Sequence, residues 1–237
     1  MANPFDLTGK VALVTGANTG IGQGIALALA AAGADIAAAG RSAAEETLEA
    51  ARDLGRRAEF SHADLATIAP VSGLVGEVLT RLGRIDILVN NAGIIRRADA
   101  LDFTEEDWDA VIDTNLKSVF FLCQAVGRHM AERGSGKIIN IASMLTFQGG
   151  IRVPSYTAAK SGVGGLTRLL ANEWATKGIN VNAIAPGYIA TSNTAALQAD
   201  ETRNRQIMER IPAGRWGSPE DLGGAAVFLA SAASDYV

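Results

Sequence analysis

The chain of 237 residues is 48% hydrophobic but only 5% aromatic, enough apolar matter for one large core built on close-packed Ala and Gly surfaces. A net charge of −4 and an isoelectric point near 5.3 exclude nucleic acid as the main partner. The lone Cys123, set in the core-like run VFFLCQAV, excludes an internal disulfide and suits a reducing, cytoplasmic setting.

The opening MANPFDLTGK lacks the apolar stretch of a secretory signal. The uncharged run Ile21 to Ala34 is too short to cross a bilayer, so no membrane partner is expected, and no metal. Lys10 to Gly16 reads as a buried strand ending in glycine. Gly16, Gly20 and Gly22 follow at Gly-x-x-x-Gly-x-Gly spacing, then a helix with Ile21, Ile25 and Leu29 on one face, stopped by Gly33. Strand, glycine loop and helix N-terminus together make an anion site, because free backbone N–H groups and the positive helix end face the loop.

Asp35 to Gly40 is the second strand. At its end, where a ribose is read in such folds, Gly40 offers no carboxylate and Arg41 offers a guanidinium suited to a 2′-phosphate. A polar helix over Glu45 to Leu54 leads to a third strand, Ala58 to Ala63, and then Asp64. That carboxylate can accept from an adenine amino group, cap the following helix, or do both. The fourth strand, Ile85 to Asn90, runs into Asn91, Ala92 and Gly93. Thr104 opens a long helix with a capping-box pattern, running through Asn115 and Cys123 to about Met130. Asn115 lies among apolar neighbours and must find partners, either a backbone patch or a water in a proton relay.

Lys137 to Ala142 delivers Ser143, and Ile179 to Ala185 delivers Pro186 and Gly187. Strands alternating with helices imply an α/β fold: a doubly wound, mostly parallel Rossmann sheet with helices on both faces. Their carboxyl ends share one rim, where ligands bind. Gly16, Asp64, Asn91, Ser143 and Gly187 therefore converge. In a helix Tyr156 and Lys160 share a face, and a neighbouring ammonium lowers a phenol's pKa from about 10. Ser143 would hold a carbonyl that the tyrosine protonates. The polar segment Ser192 to Arg210 is expected to be a lid, and Ser218-Pro219 to start a last helix. No linker or repeat divides the chain, so residues 1–237 form a single domain.

Thr15–Gly22, Asn90–Gly93, Asn115, Ser143, Tyr156–Lys160 and Pro186-Gly187 together resemble the short-chain dehydrogenase/reductase family over essentially the whole chain. Arg210–Gly217 and the stretches around Tyr156 and Gly187 are similar to members acting on deoxy sugar acids in uronate breakdown, usually NAD-dependent. The resemblance implies a catalytic set of Asn115, Ser143, Tyr156 and Lys160, with Asn115 holding a relay water. It puts Gly16, Asn18, Gly20 and Ile21 around ribose and pyrophosphate, and Asp64 and Leu65 at the adenine. It puts Asn91, Ala92 and Gly93 on the ribose side, and Pro186 to Thr191, including Gly187 and Ile189, at carboxamide and phosphate.

It also implies a homotetramer. Gly40-Arg41 departs from a strict NAD pattern and suggests that NADP is accepted. The family's last strand and Gly-rich end would lie past Val237. Arg152 and Gln148, with Arg96 or Arg97, are expected to fix a substrate carboxylate. The leading reaction is alcohol–ketone interconversion on a deoxy sugar acid. Reduction of a hexoseulose uronate or oxidation of gluconate are alternatives, and a nicotinamide-binding regulatory protein is the non-enzymatic one.

Overall fold

The computed structural model describes residues 3–237. In chain order it contains β1 (Val11–Thr15), α1 (Gly20–Ala31), β2 (Asp35–Gly40), α2 (Glu45–Asp53), β3 (Ala58–His62), α3 (Val71–Leu82), β4 (Ile87–Asn90), α4 (Glu105–Ile112), α5 (Ser118–Arg133), β5 (Gly136–Ile141), α6 (Pro154–Trp174), β6 (Ile179–Ile184), α7 (Ala195–Ala199), α8 (Glu201–Met208) and α9 (Gly223–Ala230). The six strands form one parallel sheet in the order β3-β2-β1-β4-β5-β6. The order reverses beside β1, between its partners β2 and β4, and leaves a crevice at the carboxyl rim there.

Period-two alternation divides the strand side chains between two cores. Val11, Leu13, Leu88, Ile138 and Val181 pack with α3, α5 and α6. Ala12, Val14, Ile36, Val89, Ile139 and Ile184 pack with α1, α2 and α9. Strands covered on both faces need no polar side, so Val11 through Val14 are fully buried and read as a continuous apolar run. Gly33 ends α1 with φ +114°, and Ala34 N–H closes back on the Leu29 carbonyl at 3.0 Å.

Two expectations shift. The long helix is broken by a π-turn at Asp113–Lys117 into α4 and α5, centred on Asn115. Asp64 does not cap α3, which starts at Val71; its carboxylate accepts the Ala66 N–H at 3.0 Å and closes a local turn. Thr104 does cap α4, accepting from Asp107 N–H at 3.2 Å. Among the described residues no helix is long and apolar enough to cross a membrane.

Candidate active site

The rim opens into a cleft of about 910 Å³ that runs from the glycine loop to α6 and under the segment after β6. Gly16, Asn18, Gly20 and Ile21 form one end of its lining. The loop is built for close approach. A Cβ on Gly22 would stand 2.2 Å from the Gly16 carbonyl, and Gly16 itself has φ +64°. Thr19, the N-cap of α1, makes no side-chain capping bond. The first N–H groups of α1 therefore face the cleft without a side-chain partner, a cradle that fits the pyrophosphate of a dinucleotide.

β4 supplies the floor. Asn91 donates to the carbonyls of Thr15 (2.9 Å) and Gly16 (3.1 Å), while the Thr15 hydroxyl accepts the N–H groups of Asn91 and Ala92, each at 3.0 Å. The amide of Asn91 thus clamps the glycine loop to β4. Asn115, fully buried, clamps the next stretch: it accepts Ile94 N–H at 2.9 Å and donates to the Ile94 carbonyl at 2.8 Å. Of the two readings of Asn115, its side chain serves the backbone patch, and it lies beneath the cleft wall.

β5 delivers Ser143 to the rim. Its hydroxyl accepts from Leu145 N–H at 3.1 Å. The Thr146 hydroxyl accepts Ser143 N–H at 3.3 Å and donates to the Lys160 carbonyl at 2.9 Å, so one side chain ties the serine to α6. Pro154 at the first turn starts α6, which brings Tyr156 and Lys160 to the same wall. Lys160 donates to the Ile141 carbonyl at 2.6 Å, and burial pushes its amine down to about 8.

The relation between these two side chains differs from the sequence expectation. Burial pushes the Tyr156 phenol up, with the Ser143 hydroxyl and the Arg97 guanidinium pulling it back. The Lys160 nitrogen lies 5.6 Å from the centre of the tyrosine ring, and its hydrogen bond goes to the Ile141 carbonyl. The cation that lowers the phenol in this arrangement is Arg97.

The structure brings together Gly16, Asn18, Gly20, Ile21, Asn91, Ala92, Gly93, Arg97, Ser143, Gln148, Arg152, Tyr156, Lys160, Gly187 and Thr191 on one cleft. Others stand apart. Arg96 is ion-paired with Asp107 at 3.0 Å and does not border the cleft, which leaves Arg97 as the arginine of that pair facing the site. Arg152 borders it in a left-handed turn at φ +63°, with its guanidinium 3.1 Å from Asp99. Leu65, Pro186 and Ile189 are buried, and Ile189 bridges Gly217. Arg41 and Asp64 are exposed, and Gly40, the last residue of β2, backs onto Gly16. Tyr188, within the expected Pro186–Thr191 stretch, lines the cleft, and so do Leu197, Arg203 and Arg210, which had not been singled out as site residues. The sequence shows three arginines in the lid segment, Arg203, Arg205 and Arg210, but not which of them turn inward.

A parallel α/β sheet with a glycine cradle on β1–α1 and a serine, tyrosine and lysine on β5–α6 defines a nicotinamide-dependent oxidoreductase scaffold. The short chain dehydrogenase family model matches residues 10–202, and the chain belongs to that family. It is 61% identical over 234 residues to the 2-dehydro-3-deoxy-D-gluconate 5-dehydrogenase of Escherichia coli (strain K12), covering 98% of this chain and 92% of that protein. The enzyme of the same name from Dickeya dadantii (strain 3937) is 59% identical over 236 residues, 99% of this chain and 93% of that one. A crystal structure of a putative 2-deoxy-D-gluconate 3-dehydrogenase from Agrobacterium tumefaciens with bound NADP superposes with a TM-score of 0.91 at 59% identity, covering 100% of this chain and 94% of that one.

Proposed function

We propose that this protein is a 2-dehydro-3-deoxy-D-gluconate 5-dehydrogenase, which interconverts a secondary alcohol and a ketone on a deoxy sugar acid with NAD(P). The observation that carries the reading is the meeting of Ser143, Tyr156, Lys160 and Arg97 in one cleft that opens at its other end on the glycine cradle. The full-length identity to enzymes of that name supports the substrate.

The residues fit a bound dinucleotide. Gly16, Asn18, Gly20 and Ile21 would hold the pyrophosphate and its ribose, Asn91 to Gly93 the floor beneath, and Gly187 and Thr191 the nicotinamide end. The nicotinamide supplies or accepts the hydride when bound. Ser143 orients the reacting oxygen. Tyr156, kept protonated by burial, gives its proton to that oxygen in the reducing direction, and its phenolate takes the hydroxyl proton in the oxidising one. Lys160 brings a buried positive charge to the same wall, and Asn115 keeps the Ile94 backbone in register. Arg97 polarises the reacting end, with Gln148 and Arg152 along the neighbouring wall.

NADP is accepted on this reading, because Arg41 is exposed, has no ion-pair partner among the described residues, and follows a glycine where a carboxylate would repel a 2′-phosphate. Arg41→Ala should lower the preference for NADP over NAD by about tenfold, the value of one charge-assisted hydrogen bond. The homotetramer remains part of the proposal through its resemblance to the family. An absorbance assay at the nicotinamide band tests the function. Wild-type protein should turn over 2-dehydro-3-deoxy-D-gluconate in preference to gluconate, and Tyr156→Phe should bind the dinucleotide but lose turnover. Equal rates on both acids would defeat the substrate assignment.

A further inference from the structure

The cations around the cleft fall into two groups. Lys160 and Arg97 stand at the reacting end, beside Tyr156. Arg203 and Arg210 line the cleft from the lid, on and just after α8, and neither forms an ion pair among the described residues. Arg96 and Arg152, by contrast, are engaged by Asp107 and Asp99. A sugar acid oxidised at C5 carries its carboxylate at the far end of the carbon chain from the reacting hydroxyl. A carboxylate there lies beyond Tyr156 and asks for a guanidinium in the outer part of the cleft.

The lid that carries these arginines is hung on defined contacts. The Asp200 carboxylate caps α8 by accepting the Arg203 N–H at 3.0 Å, and the Arg203 guanidinium donates to Gln206 at 2.8 Å. One residue on, Asn204 accepts from the Trp216 indole N–H at 2.8 Å. Trp216 meets the ring of Tyr188 edge-on, with centroids 5.5 Å apart, and Tyr188 itself lines the cleft. The base of the lid is pinned by the Ala190–Gly217 and Gly217–Tyr188 backbone bonds at 2.8 and 2.9 Å. At its start the Asn193 carbonyl accepts from Arg97 at 3.2 Å. The lid thus touches the reacting end through Arg97 and a tryptophan through Asn204.

We propose that Arg203 and Arg210 are the specificity-determining clamp for the substrate carboxylate, and that the acid's own charge draws the lid over the cleft. This rests on the sugar-acid reading above and deepens it. Arg97 then serves the reacting end, and the distinction between an acid and a neutral sugar resides in the lid.

The test compares 2-dehydro-3-deoxy-D-gluconate with its carboxamide on the NADP-loaded enzyme. In wild type, kcat/KM should favour the acid. In R203Q/R210Q that preference should fall by about 10- to 100-fold, chiefly through KM, the span of two charge-assisted bonds. R203K/R210K should recover part of it. Trp216 fluorescence should change on adding acid to wild type and not to R203Q/R210Q. A double variant that keeps the full preference would overturn the clamp while leaving the sugar-acid reading intact. So would one whose loss appears equally for acid and carboxamide, or as weaker NADP binding. A wild type indifferent to the carboxylate would overturn the reading itself.

Discussion

The two ends of the sheet treat charge in opposite ways. At the amino end, Asp86 is buried and fully satisfied. It accepts Val11 N–H at 2.9 Å and pairs with Arg84 at 2.5 Å and Arg133 at 2.8 Å. At the carboxyl end, Lys160 is buried with a single carbonyl for a partner, and Arg97, Arg203 and Arg210 border the cleft, which Asp200 also lines, with no ion pair among the described residues. Charges closed by their neighbours hold a fold together. Charges left facing a cavity leave binding energy for a ligand. The difference separates architecture from function more cleanly than burial does, since Asp86 and Lys160 are both buried.

The sharpest way to break that contrast is to damage each end alone. Tyr156→Phe should cut turnover by about 10²- to 10⁴-fold, as for removal of a positioned proton donor, with the urea midpoint unmoved. Asp86→Ala should do the reverse. It strands two guanidiniums and a strand N–H, and should cost about 3 kcal/mol in urea unfolding while the kinetic constants of the folded fraction stay put. Asp86 also sets an acid limit. Its partners Arg84 and Arg133 outweigh the burial that opposes ionisation and hold its carboxyl below the usual range. Its contribution is present above the ordinary carboxylate pKa and is lost as pH falls through the lower folded value.

Lys160 reports on the opposite end, with a slope of the same sign but in the alkaline range. Its amine titrates near 8 in the fold against 10.5 when free, so between those values the unfolded chain holds a proton that the folded one lacks. Stability of the cofactor-free protein should therefore rise from about pH 8 upward, by an amount on the order of 3 kcal/mol over the full interval. Above about pH 10 the raised Tyr156 phenol works against that rise. Lys160→Met should flatten the slope, and a slope that persists in the variant would assign it elsewhere. The smallest effect is expected for Thr146→Val, which cuts the tie between Ser143 and Lys160. It should lower kcat a few-fold, leave KM nearly unchanged, and cost about 1 kcal/mol of stability.

Much of the carboxyl end was legible beforehand because backbone needs dictate its residue types. Gly16 requires a positive φ, Gly22 admits no Cβ, and Pro154 opens α6. Strand runs such as Val11–Val14 announce burial on both faces. Boundaries moved by a residue or two, as for β3 and β5. Side-chain direction was not legible. Spacing put Lys160 beside Tyr156, yet the nitrogen lies over the ring and turns to the Ile141 carbonyl. Periodicity carried one helix through Asn115, yet two bonds to Ile94 accompany a π-turn there. The lid arginines were countable, but which of them face the cleft depends on how the lid is pinned, partly by the bond from Trp216 to Asn204 twelve residues away.

The measurement that tests the contrast most directly is urea unfolding of wild type and Asp86→Ala with and without NADP plus 2-dehydro-3-deoxy-D-gluconate. With each ligand at a hundredfold excess over its Kd, both proteins should gain the same increment, at least about 2.7 kcal/mol, because the open carboxyl end binds independently of the closed amino end. No gain in either protein, or a gain that disappears with Asp86, would contradict the account.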